Sequence, residues 1–108
     1  MARFLGMLKV SNDEAARMIH DGPRARRDFV DGLVRGAGGV LEGFWLTNVG
    51  DWDLICIVNM ADETPISGAA ATLARRAAGF ADSERWIELA DVDDVAQALE
   101  KMAHGNAT

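Results

Sequence analysis

Residues 39–60 read GVLEGFWLTNVGDWDLICIVNM, and the reading of this stretch decides the fold. Two apolar runs, residues 40–47 and 52–60, flank a short polar link. They are rich in Val, Ile, Leu, Phe and Trp, which fit a pleated, half-buried surface. The link, Asn48-Val49-Gly50-Asp51, holds residues that tolerate positive φ or bond their own backbone. Two strands around such a link form a β-hairpin. In the second run Leu54, Cys56, Val58 and Met60 fall on one face and Asp53, Ile55, Ile57 and Asn59 on the other. The first series is wholly apolar and is expected to lie under helices.

Working outward, residues 3–10 read as a strand with Phe4, Gly6, Leu8 and Val10 on one face and Leu5 and Met7 on the other. Ser11-Asn12-Asp13-Glu14 then has the spacing of a capping box, Ser11 accepting from the amide of Glu14 and the Glu14 side chain reaching back. The helix it opens is broken at Asp21-Gly22-Pro23, because Gly loosens the backbone and Pro lacks an amide donor. It resumes with Phe29, Val30, Leu33, Val34 and Ala37 at helical spacing, and Gly36, Gly38 and Gly39 end it.

Beyond the hairpin, Asp62 caps a second crossover helix with Pro65 in its first turn. Ile66, Ala69, Ala70, Leu73, Ala74 and Ala77 form its expected inner face, small enough for close approach to the sheet. Residues 84–89 alternate as a fourth strand, Arg85, Ile87 and Leu89 against Glu84, Trp86 and Glu88. Asp91 caps a last helix carrying Val92, Val95, Leu99 and Met102 on one side. The expected organisation is one domain over residues 1–103 and a flexible tail over 104–108.

The order β-α-β-β-α-β-α defines an α+β fold, the ferredoxin-like plait with an extra C-terminal helix. Its helices cover one sheet face. The other, with Ile55, Ile57, and by expectation Trp86 and Trp45, is too apolar for water. Packing two such faces together gives a dimeric α/β-barrel, so the expected partner is a second copy of the chain.

The totals agree with a small globular protein. The 108 residues include 11 Lys and Arg against 17 Asp and Glu, a net charge of −6, which disfavours nucleic acid and anionic membranes as partners. The single cysteine, Cys56, forms no internal disulfide and fits a cytoplasmic setting. No apolar run has the length of a membrane-spanning helix, and the N-terminus lacks the long apolar region of a signal peptide.

The chain resembles the GYD-domain family of small bacterial proteins. Gly50-Asp51-Trp52-Asp53 stands where that family has a Gly-x-Tyr-Asp signature. Gly38-Gly39-Val40-Leu41-Glu42-Gly43-Phe44-Trp45 is similar to its Gly-Gly-x-Leu-x-Gly-Phe-Tyr run, and Ala25-Arg26-Arg27 to the start of its long helical segment. Ala61-Asp62 follows the third strand much as the family's Pro-Asp does. Trp52 in place of Tyr keeps an aromatic plate and loses a phenol. The resemblance implies a dimeric α/β-barrel and no particular substrate.

Three groups of residues are candidates for chemistry. Asp51 and Asp53 flank Trp52, which would set a carboxylate beside an aromatic wall; the plain alternative is a turn whose Asp residues bond its amides. His20 adjoins Asp21, which could orient the ring as a general base; the alternative is a surface histidine. Arg24, Arg26 and Arg27 follow the helix break and could hold a carboxylate or phosphate, with Phe29, Trp45 and Trp52 taking an apolar body; the alternative is a solvated face paired with nearby acids. No metal motif is present and no cofactor is called for. Haem on His20 is an analogy from related barrels alone. The leading expectation is a homodimer binding a small apolar or aromatic ligand, with or without an anionic group, between the sheet and the broken helix. The alternatives are a cofactor-independent oxygenase, cyclase or isomerase acting on an aromatic or polyketide-like substrate, and a structural or partner-binding module.

Overall fold

The structure, a computed structural model, describes residues 2–48, 50–61 and 69–106. Its elements are β1 (Ala2–Val10), α1 (Asn12–Asp21), α2 (Pro23–Gly36), β2 (Val40–Leu46), β3 (Leu54–Met60), α3 (Ala69–Ala77), β4 (Ala81–Leu89) and α4 (Val92–Asn106). The strands form one four-stranded sheet in the order β2-β3-β1-β4 with every neighbouring pair antiparallel. This α+β arrangement is compatible with a ferredoxin-like plait. The expected Asp62 cap, Pro65 and Ile66 lie outside the described residues.

The hairpin link is longer than the sequence suggests. β3 begins at Leu54 rather than Trp52, but Asp53 already joins the ladder, donating to the Leu8 carbonyl at 3.0 Å and accepting from the Thr47 amide at 2.9 Å. At the other end of the chain α4 continues to Asn106, into the stretch expected as a tail. Gly105 costs a helix about 1 kcal/mol without barring it.

In an antiparallel ladder, residues directly opposite share a face. Gly6 stands between Cys56 on one side and Trp86 on the other, so Trp86 belongs with Cys56. It lies on the helix side, not on the open face with Ile55 and Ile57 as expected. Adding a Cβ to Gly6 would bring it within 2.3 Å of the Trp86 ring, so the indole rests on the glycine. Leu8, Met18, Leu54, Cys56, Val58, Met60 and Ala81 make the buried core. The open face carries Leu5, Met7, Ile55, Ile57, Ile87, Leu89 and Trp45, with the Trp45 ring lying over Gly43.

The first crossover is two helices joined at Gly22, whose φ of 93° and ψ of 147° suit glycine alone among common residues. α2 packs on β2, whereas α3 packs on β4. α3 is also rotated from its expected setting: Leu73 is exposed, and Ala71, Ala74, Arg75 and Ala78 face inward. Arg75 on that inner face meets a carboxylate there, Glu84 on β4.

Candidate functional site

With α2 over one side of the sheet and α3 over the other, the middle of the helix layer stays open. A cavity of about 590 Å³ lies there. Its floor is Leu8, Leu54, Cys56, Val58 and Met60, with Phe44 and Trp86 toward the sides. The apolar stripe of α2, Phe29 to Val34, with Ala37 just past its end, lines one wall, and Ala71 and Ala74 of α3, with Ala78 just past its end, line the other. The volume falls within the range usual for small-molecule sites, and the largely apolar lining with few polar groups is typical of them. Among the described residues that lining contains three charged side chains, Arg17, Arg26 and Arg75, and no carboxylate.

Each end of the cavity is built on a guanidinium, a carboxylate and a ring. At the α1–α2 end, Glu14 is wholly buried, with 0% exposure. Its oxygens accept from Arg26 Nε at 2.9 Å and Arg26 Nη2 at 2.7 Å, a two-pronged bond, and from Arg17 Nη1 at 3.1 Å. Buried charge is tolerated only when paired and hydrogen-bonded in this way. The Arg26 guanidinium lies 4.5 Å from the centre of the Phe29 ring. The Glu14 hydrogen bonds hold the Arg26 pKa above its ordinary value despite the opposing effect of burial.

The expected capping box is therefore half formed. Ser11 Oγ accepts from the Glu14 amide at 2.9 Å. The Glu14 side chain turns inward instead of reaching back, and the Ser11 amide donates to the Phe80 carbonyl at 3.1 Å. Ser11 Oγ also donates to the Gly79 carbonyl. The start of α1 is thus tied to the turn between α3 and β4.

At the α3–β4 end, Arg75 Nε donates to both Glu84 oxygens at 3.0 Å, and Trp86 Nε1 donates to Glu84 Oε1 at 3.0 Å. The Arg75 guanidinium lies 5.1 Å from the Trp86 ring centre. Burial pushes the Glu84 carboxyl up, but hydrogen bonds from Arg75, Trp86 and Thr72 outweigh it and hold the pKa below the ordinary value. On the floor, burial pushes the Cys56 thiol up to about 11, which leaves it protonated and unreactive near neutral pH.

Of the residues singled out from sequence, the structure brings Arg26 and Phe29 to this cavity. Arg24 and Arg27 are exposed, and Arg27 meets its neighbour Asp28 at 3.2 Å. His20, at the end of α1, is 89% exposed and 2.8 Å from the Asp21 carboxylate. Asp51 is exposed in the turn, Trp52 is half-buried, and the Asp53 carboxylate accepts from the Val10 amide at 3.2 Å. Trp45 stands on the opposite sheet face. None of His20, Asp51, Trp52 or Asp53 lines the cavity, so the turn is not its rim.

Sequence reasoning missed Arg17, Glu14, Arg75 and Glu84. Two signals pointed to the second pair. Arg75 interrupts an alanine face at helical spacing, and Glu84 shares its strand face with Trp86. Among the described residues no cluster of three or more His, Cys, Asp or Glu is placed to hold a metal ion. No described helix is long and apolar enough to cross a membrane.

A four-stranded antiparallel sheet roofed on one face by helices, with a basic-walled apolar cavity beneath them, is the class that fold and site define. The chain matches no family model, no curated protein and no solved structure.

Proposed function

We propose that this protein is a GYD-like homodimer that binds a small apolar or aromatic acid in the cavity between the sheet and α2 and α3. The carrying observation is the lining itself: a largely apolar cavity whose charged groups, among the described residues, are three arginines without a lining carboxylate. An apolar body fits against Phe44, Trp86 and Phe29. The anion belongs at the α1–α2 end, where Arg17 and Arg26 share the single carboxylate of Glu14. Binding rather than turnover is the better reading, because among the described residues the lining offers no carboxylate or histidine to move a proton, and Cys56 is held as the thiol.

The dimer would form through the open sheet faces as an α/β-barrel. It draws support from the exposed apolar side chains there, Trp45, Ile87 and Leu89 among them, and from the residues shared with the GYD signature. The acidic balance and lone cysteine suit a bacterial cytoplasm.

Calorimetric titration with 1-naphthoate and with its neutral analogue 1-naphthalenemethanol tests the ligand class. The acid should bind with micromolar affinity and the alcohol at least about tenfold more weakly, a difference of about 1.4 kcal/mol. Arg17→Met, at a partly exposed position that a folded chain tolerates, should remove the preference. A folded protein that binds neither compound, or that binds both alike, would refute the reading.

A further inference from the structure

α4 is an amphipathic helix that lies on no other described element of its own chain. Val92, Val95, Leu99 and Met102 recur at three- and four-residue steps, forming one stripe. All four are exposed, from 42% at Val95 to 82% at Val92. Among the described residues α4 makes no substantial contact with any other element. It follows β4 after only Ala90 and Asp91 and leaves the molecule 61 Å long. A lone helix of 15 residues is marginal in water even with favourable composition, so its stability calls for a covering surface.

Area and charge indicate which surface. The open sheet face, four strands about 4.8 Å apart and about 23 Å long, presents roughly 450 Å². That is short of the roughly 800 Å² per partner of an ordinary stable interface. An arm about 22 Å long and about 10 Å wide adds roughly 220 Å². Each protomer gives one arm and receives one. The received arm lies on the face already counted, so each protomer contributes that face plus its own arm, roughly 670 Å², which closes more than half of the gap to that requirement. α4 also carries Asp93, Asp94 and Glu100 against Lys101, whereas the open face carries Arg3, Lys9 and Arg85 against Glu42 and Asp53, so the arm is net acidic and the face net basic. The signs are opposite.

We infer that α4 is an exchanged arm: in the homodimer each α4 lays its Val92, Val95, Leu99 and Met102 stripe along the margin of the open sheet face of a second copy. This rests on the homodimer proposed above. The arm would bind its occupant by apolar packing, with its acids turned toward the basic residues of that face.

The test uses the full chain and Leu99→Lys, a substitution at an exposed position that leaves the protomer able to fold. Sedimentation equilibrium should show the dissociation constant raised roughly 30-fold or more, the effect of losing a central apolar contact. Hydrogen exchange should show α4 amides protected in the dimer and unprotected once the parent is diluted to monomer. A dimer indifferent to Leu99→Lys, or α4 protection that survives dilution, would overturn the exchange while leaving the dimer standing. A parent that stays monomeric at all concentrations would overturn the dimer and the exchange together.

Discussion

Each face of the sheet has a tryptophan lying on a glycine. On the helix side Trp86 covers Gly6, and on the open side Trp45 covers Gly43. The local geometry is similar and the surroundings are not. Trp86 is held by its bond to Glu84 and by the Arg75 guanidinium over its ring. Trp45 is 52% exposed at the start of an apolar surface that no described helix covers. The difference shows how this small domain divides its work. One face is locked by buried ion pairs around a cavity, while the other keeps an adaptable apolar surface.

The strongest challenge to the locked face is Glu14→Ala. It leaves Arg26 buried without its carboxylate and should cost about 3–5 kcal/mol in denaturant unfolding. Glu14→Leu combined with Arg26→Met should recover most of the loss, because apolar replacement of both partners is often neutral. A single substitution as mild as a surface change would show that the pair contributes little to the lock.

Glu84→Gln should cost less, about 2 kcal/mol at neutral pH, since one charged acceptor is replaced by a neutral one. The Glu84 pKa is lowered in the folded state. Its contribution is therefore complete above the ordinary glutamate value of about 4.3 and drains away as pH falls through the lowered value. The gap between parent and Glu84→Gln should narrow below about pH 4. A gap that widens in acid would reverse the assigned shift.

Gly6→Ala and Gly43→Ala compare the faces directly. At Gly6 the new methyl meets an indole that cannot swing away, and the expected cost is about 2 kcal/mol. At Gly43 the Trp45 ring can turn outward, so the protomer should lose less than about 0.5 kcal/mol. Equal melting-temperature changes would mean that Trp86 is no better fixed than Trp45.

Much of the fold was legible because periodicity reports burial. The apolar alternation of β3, the stripe of α2 and the Gly-Pro break each announce themselves over several residues. Single polar side chains that turn inward carry no such period. Glu14 sits where a capping box places an acid facing out, and nothing local shows that Arg26, 12 residues on, will meet it. The face of Trp86 was misread because the open surface was judged by composition rather than by its ladder partner Gly6. The cavity itself was only partly legible. A helix break between sheet and arginines pointed to its neighbourhood, but Arg24, Arg27, His20 and the Gly50 turn lie apart from it. A cavity depends on how far α2 and α3 stand from each other, which no sequence period encodes.

On an unbroken helix, Glu14 and Arg26 would stand about 18 Å apart. They meet because the chain turns at Gly22, in a conformation that few residues other than glycine adopt. The three positions are thus answerable to one another when the sequence varies. Where a relative loses the glycine, selection no longer has reason to keep an acid at 14 or an arginine at 26, and both should drift toward apolar types. Positions 14, 22 and 26 are expected to be inherited as one unit, though they sit on two helices and the joint between them.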